Sequence, residues 1–158
     1  MEGISNQEVR QFIVFKLGNE EYGIDILNVQ NIERVLSITR VPKAPFFIKG
    51  VINLRGEIIP VMSLRLKFNL EADEYTDDTR IIIVKIDDNQ IGMIVDEVKE
   101  VLQLTADSIE SVQGVSGINT DINLSFIQGV GKVNNHIVTL LNIKSLIDSI
   151  LVDSLENA

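Results

Sequence analysis

Asp25 and Asp96 are the only acidic residues set within apolar stretches of this 158-residue chain, and a hydrolase working through buried carboxylates would need residues of that kind. Asp96 reads equally as the residue that ends a strand. The acidic cluster Asp73, Glu74, Asp77 and Asp78 offers oxygen ligands for a hard cation, but no EF-hand spacing is present and the cluster reads as a solvated loop. Gly129-Val130-Gly131 lacks the third glycine and the following helix of a dinucleotide fingerprint and reads as a turn. Asp87-Asp88-Asn89 reads as a tight hairpin, and His136, behind Asn134-Asn135, as a surface histidine beside the corresponding hairpin of a second half. With no cysteine and this single histidine, thiolate zinc sites, disulfides and paired-histidine mechanisms are excluded. No nucleophile stands beside a base at recognisable spacing, so neither an enzyme nor a metal or other cofactor is expected.

Arg55 poses a different question. It lies in "GVINLRGEIIPV" (50–61), where Arg55-Gly56-Glu57 separates two apolar runs. The turn needs a residue that tolerates positive φ, not an arginine. Either Arg55 is a surface residue of no special role, or it presents its planar guanidinium to a partner's carboxylate or backbone.

The elements that position these residues are short. Ile and Val dominate, turn residues such as Gly18-Asn19 and Gly56 interrupt the runs, and the pattern is that of a mainly β barrel or sandwich. A shift of 69 positions lays FIVFKLGNEEYGI (12–24) over IIIVKIDDNQIGM (81–93), and the register holds to Val29 over Val98. A shift of 79 lays FIKGV (47–51) over FIQGV (126–130) and Asn134-Asn135-His136 over the Arg55 turn. The chain is therefore read as two halves of common plan. The extra ten positions fall in the Gly, Ser and Asn-rich stretch 113–124, a loop insertion in the second half.

Each half offers about five strands, enough to close a small barrel. The runs 12–17 and 81–86 are apolar on both faces apart from Lys16 and Lys85, so something must cover the second face, most economically the other half. Residues 27–29 are either one helical turn or the start of a helix. Pro60 cannot donate a ladder hydrogen bond, so its strand is an edge or is bulged. Segment 69–79 is an acidic bridge. Ile143, Leu146, Ile147, Ile150, Leu151 and Leu155 follow helical spacing behind Asn142 as N-cap, which predicts an amphipathic helix over 142–155.

A net charge of −9 and 5% aromatic residues argue against nucleic acid as a partner. No run is long enough to span a bilayer and residues 1–9 are polar and acidic, so a flexible tail and a cytoplasmic location are expected.

"EEYGIDILNVQNIERV" (20–35), "RVPKAPFFIKGVINLRGEIIPVMSLR" (40–65), "IGMIVDEVKEVLQL" (91–104) and "FIQGVGKVNNHIVTLLNIKSLI" (126–147) strongly resemble the CheW family of bacterial chemotaxis coupling proteins. The resemblance implies two SH3-like five-stranded β-barrel lobes packed side by side, with the N-terminal strand completing the second. The first lobe would then hold 18–79, and the second 10–17 with 80–147. It also implies a non-enzymatic adaptor, recruited to membrane-associated receptor arrays, that joins the cytoplasmic helical tips of chemoreceptors to the regulatory domain of the histidine kinase CheA. Carried over by position, Ile26, Val29, Asn31, Ile32, Val98 and Val101 would line a receptor groove, although Val29 and Val98 also suit ordinary core. Arg55 would fall in the receptor and kinase contact region, and Gly50, Gly56 and Gly92 would be structural. Two departures bear on this: Asn31 stands where the family often has Glu, which would exchange a charge-assisted bond for a neutral one, and Met62-Ser63 stands where Val-Asp is commoner. The competing readings are a small-ligand-binding β-barrel, which would need a concave polar pocket with a phosphate-receiving loop, and the carboxylate hydrolase.

Overall fold

The computed structural model describes residues 8–111 and 124–156. The expected tail falls outside these apart from its last two residues, and the expected loop insertion outside them apart from Leu124. Among the described residues eleven strands are formed: β1 Val9–Leu17, β2 Glu20–Asp25, β3 Val29–Arg34, β4 Ile48–Leu54, β5 Glu57–Ser63, β6 Arg80–Ile86, β7 Asn89–Val95, β8 Glu97–Thr105, β9 Ile109–Glu110, β10 Ile127–Val133 and β11 His136–Leu141. Two helices follow β5 and β11: α1 Leu64–Lys67 and α2 Ile143–Glu156. Two residues turn each hairpin. Arg55 (φ 52°) with Gly56 (φ 88°), and Asn134 (45°) with Asn135 (73°), both adopt the left-handed pair that matches strand twist.

The strands form a six-stranded sheet in the order β8-β1-β2-β11-β10-β9 and a five-stranded sheet in the order β3-β6-β7-β5-β4. These divide the chain differently from the boundaries at 18, 79 and 80. The whole hairpin β1–β2 joins the second half's β8 and β11, and the whole hairpin β6–β7 joins the first half's β3 and β5. The halves exchange hairpins reciprocally. Repeat comparison aligns equivalent strands but carries no information on which copy each pairs with.

The registers follow the repeat. β2 runs parallel to β11 with Gly23 opposite Leu140, and β7 runs parallel to β5 with Gly92 opposite Val61, the residues related by the shifts of 69 and 79. A bulge between Ile48 and Gly50 recurs between Ile127 and Gly129. Gly129-Val130-Gly131 is therefore strand rather than turn: Gly129 sits at that bulge, and a Cβ on Gly131 would meet Leu104 Cδ1 at 2.7 Å. Pro60 also departs from expectation. Its strand β5 lies between β7 and β4, but the pairing with β7 begins only at Val61, past the missing N–H.

Alternating faces of β1 and β6 explain their doubly apolar sequences. Phe12 and Val14 pack with Leu104, Val138 and Leu140 on one side of the six-stranded sheet, while Ile81 and Ile83 pack with Ile52, Ile59, Val61 and Ile94 in the other. The intervening residues Ile13, Phe15, Leu17, Ile82 and Val84 meet in one large core shared by both sheets. Each fully buried side chain of this size stabilises by roughly 1.5–3 kcal/mol, so the shared core binds the sheets into one body. Leu146, Ile147 and Ile150 of α2 enter the same core, and Asn142 caps the helix by accepting from Ser145 N at 3.1 Å.

Candidate functional site

The residues expected to line a groove come from the two sheet edges that lead out of the crossovers. Ile26 belongs to a 3-10 turn, Ile26–Asn28, between β2 and β3, which settles residues 27–29 as one turn and the start of a strand. Val29, Asn31 and Ile32 lie on β3, at one edge of the five-stranded sheet, and Val98 and Val101 on β8, at an edge of the six-stranded sheet. Ile26, Val29 and Val98 are half-buried against the shared core. Ile32 and Val101 remain 40% and 48% exposed, so these two, not the whole set, offer apolar surface. Leu27, which periodicity does not single out, is 88% exposed at the tip of the 3-10 turn. Beside it Leu27, Val29, Gln30, Lys85 and Asp87 surround a surface concavity of about 360 Å³.

Arg55 stands exposed on the β4–β5 turn and makes no hydrogen bond or ion pair with a described residue. Asn53 Oδ1 accepts from Gly56 N at 3.0 Å and closes the turn without it. A side chain in the left-handed region costs on the order of 1 kcal/mol, which Asn or Gly would reduce, so the turn is formed in spite of Arg55. Gly50 (φ 146°) lies so close to the loop before β4 that a Cβ would meet Thr39 O at 2.1 Å. A Cβ on Gly92 would meet Ile81 Cγ2 at 2.8 Å, while at Gly56 the space is open and only φ favours glycine.

Each lone carboxylate marks a crossover between sheets. Asp25 ends β2, where its Oδ1 accepts from Leu27 N at 2.9 Å and its Oδ2 pairs with Arg10 Nη2 at 3.0 Å. Asp96 lies between β7 and β8, accepts from Arg65 Nε (2.8 Å) and Nη2 (2.5 Å), and accepts from Gly18 N at 2.7 Å. Burial, the largest single influence, pushes the Asp96 carboxyl up. The Arg65 hydrogen bonds, the Gly18 N–H and attraction to Arg65 and Lys16 outweigh it and hold the group below the usual carboxylate range. A general acid needs the opposite shift, and the Asp96 carboxylate is instead engaged by Arg65 and Gly18 N.

Asp73 is not simply solvated. Burial pushes its carboxyl up, against hydrogen bonding from Ser63 and attraction to Arg65. Buried Ser63 caps α1 by accepting from Leu66 N and donates to Asp73 Oδ2 at 2.5 Å, which leaves Asp73 Oδ1 buried without a partner. Among the described residues no cluster of three or more His, Asp or Glu could hold a metal. His136 Nδ1 lies 3.1 Å from Glu21 Oε1, between β11 and β2. A cavity of about 460 Å³ between the 41–45 loop, β4, β5, β7 and α2 is lined mainly by apolar residues, Val41, Ile48, Val51 and Ile147 among them, with Lys43, Asn89 and Gln90 as polar members. Among the described residues no helix is long and apolar enough to cross a membrane.

The model of the CheW-like domain family matches residues 11–151. The chain belongs to the CheW family. Among its CheW relatives, "Chemotaxis protein CheW" of Helicobacter pylori is 39% identical over 142 residues, covering 90% of this chain and 84% of that one. The protein of the same name from Bacillus subtilis is 38% identical, covering 87% and 86%. The crystal structure of the scaffolding protein TtCheW from Thermoanaerobacter tengcongensis superposes with a TM-score of 0.77 at 38% identity, covering 86% of each chain.

Proposed function

We propose that this CheW-family chain is a non-enzymatic adaptor that couples chemoreceptor cytoplasmic tips to the regulatory domain of the chemotaxis histidine kinase, and so controls kinase activity in membrane-associated arrays. The observation that carries the reading is the family match across residues 11–151, nearly the whole chain. The local chemistry agrees: Asp25 and Asp96 are spent on ion pairs and backbone caps.

The receptor contact is the groove between β3 and β8, apolar at Ile32 and Val101 and floored by Ile26, Val29 and Val98, a surface suited to the apolar face of a helical hairpin. Asn31 pairs with Ile83, on the opposite face of β3 from Val29 and Ile32, which pair with Val84 and Ile82. Each sheet is read as an SH3-like barrel; support comes from Arg10 on β1, whose guanidinium lies 2.9 and 2.8 Å from the amide oxygen of Gln128 on β10 when that amide is turned toward it. In the five-stranded sheet, support comes from the bridge between Thr39 and Val51, which ties the chain leaving β3 to β4 at the opposite edge. Coupling of this kind requires only about 1–3 kcal/mol between sites.

Reconstitution with receptor-containing membranes and the kinase tests the reading. Kinase activity is expected to become receptor-dependent on adding the protein. Failure to bind the kinase's regulatory domain, together with unchanged kinase activity, rejects it.

A further inference from the structure

We infer that Arg10 and Asp25 are positioning residues for receptor binding: their ion pair holds the 3-10 turn that presents Leu27 as an apolar anchor at the rim of the groove. This rests on the receptor-groove reading above. Leu27 carries the largest exposure of any large hydrophobic side chain among the described residues, 88%. A leucine so exposed gains nothing from its own fold, and its burial by a partner stabilises the complex by the full transfer term.

The backbone beneath it is fixed from two directions. Asp25 Oδ1 accepts from Leu27 N at 2.9 Å, so the carboxylate caps the turn, while Oδ2 receives Arg10 Nη2 at 3.0 Å. Asp25 is the less exposed partner, with its side chain 16% exposed against 34% for Arg10. The guanidinium is held in turn over the Phe12 ring at 5.3 Å.

Arg10 stands behind the groove, on the sheet face of Phe12 and Val14 and not on that of Ile13 and Phe15. It lies on β1 opposite Leu104 of β8, the strand that carries Val98 and Val101. Asp25 leads through the Leu27 turn into β3, which carries Val29, Asn31 and Ile32. The ion pair thus holds the turn from behind the groove, and its loss frees the turn without removing any groove side chain. A helical hairpin seated between the walls would take Leu27 into a gap between its side-chain ridges.

The test measures affinity for a purified chemoreceptor cytoplasmic fragment and, separately, for the kinase's regulatory domain. The variants are Leu27→Ala, Arg10→Ala, their combination, and Arg10→Lys. Leu27→Ala is expected to weaken receptor binding roughly ten- to hundredfold, with kinase affinity and thermal midpoint unchanged. Arg10→Ala should weaken it about three- to tenfold, and Arg10→Lys should restore most of that. If Arg10 acts through the anchor, its effect disappears in the Leu27→Ala background; a merely structural role would leave it additive. A nitroxide on Leu27→Cys, the sole cysteine of the chain, should gain mobility when Arg10→Ala is added. Additive effects, an unchanged nitroxide spectrum, equal loss of kinase affinity, or full receptor affinity in Leu27→Ala each overturn the inference. Failure of the wild-type protein to bind the receptor fragment instead rejects the receptor-groove reading on which it stands.

Discussion

Asp96 grips Arg65 through two hydrogen bonds, to Nε at 2.8 Å and Nη2 at 2.5 Å, at the corner where the chain leaves the five-stranded sheet for the six-stranded one. The same carboxylate receives Gly18 N from the β1–β2 turn, so one side chain joins three segments from both sheets. Asp96→Ala strands the Arg65 guanidinium and the Gly18 N–H, and should cost about 2–3 kcal/mol in chemical denaturation. Because the folded state lowers the Asp96 pKa, its contribution is fully present above the unfolded carboxylate value and fades as pH falls through the folded one. A pH series should show this acid-side loss in the wild type and not in Asp96→Ala.

Asp73 has the opposite sign. Burial raises its pKa, so ionisation at neutral pH weakens the fold, and the penalty lifts as pH falls toward the unfolded carboxylate value. Asp73→Asn keeps an acceptor for Ser63 and removes the charge. It is expected to stabilise by about 1 kcal/mol at pH 7, a gain that shrinks as pH falls and is gone by pH ~4, the unfolded carboxylate value. Urea midpoints at the two pH values check it.

Gly50 and Gly56 lie in one hairpin yet should respond very differently to alanine. At Gly50 a Cβ would stand 2.1 Å from Thr39 O in a φ of 146°, so the β4 bulge must open and the cost should exceed about 3 kcal/mol. At Gly56 nothing lies within 4 Å, and only the left-handed backbone is charged, about 1 kcal/mol. Thermal melts of the two variants should separate clearly.

Arg55→Asn tests whether the arginine serves a partner. Asparagine suits a φ of 52° better, so the thermal midpoint should hold or rise, by up to about 1 kcal/mol in stability, while kinase coupling in the reconstituted system falls. A destabilised protein with intact coupling would assign Arg55 to the fold.

Hairpin exchange predicts the behaviour of fragments. Divided within the acidic bridge, 1–74 lacks β8 and β11 to receive β1–β2, and 75–158 lacks β3 and β5 to receive β6–β7. Each alone should lack cooperative folding by circular dichroism, and mixing them should restore a one-to-one complex with a sigmoidal melt.

Much of this plan is legible in the residues. The shifts of 69 and 79 predict equivalent strands and turns, but Gly129, read as part of a turn, proves to mark a bulge equivalent to that at Gly50. The doubly apolar strands at Phe12 and Ile81 correctly call for cover on both faces. Which hairpin covers which half is not legible, since β1 and β6 present the same pattern to either partner. Arg10, Leu27 and Arg65 also escape notice: their roles depend on contacts such as Arg65 to Asp96, 31 positions apart, that no periodicity encodes. Asp25 and Ser63 do carry local signs, side-chain oxygens two and three residues before the N–H groups they cap.

Two half-length chains trading hairpins would build the same pair of sheets around a twofold axis, so the molecule has the topology of a homodimer whose subunits have been fused through residues 69–79. A true homodimer must display every surface residue twice. Fusion removes that obligation, and the β4–β5 tip can carry Arg55 while its counterpart between β10 and β11 keeps the turn-adapted Asn134, giving a symmetric scaffold one end that differs from the other.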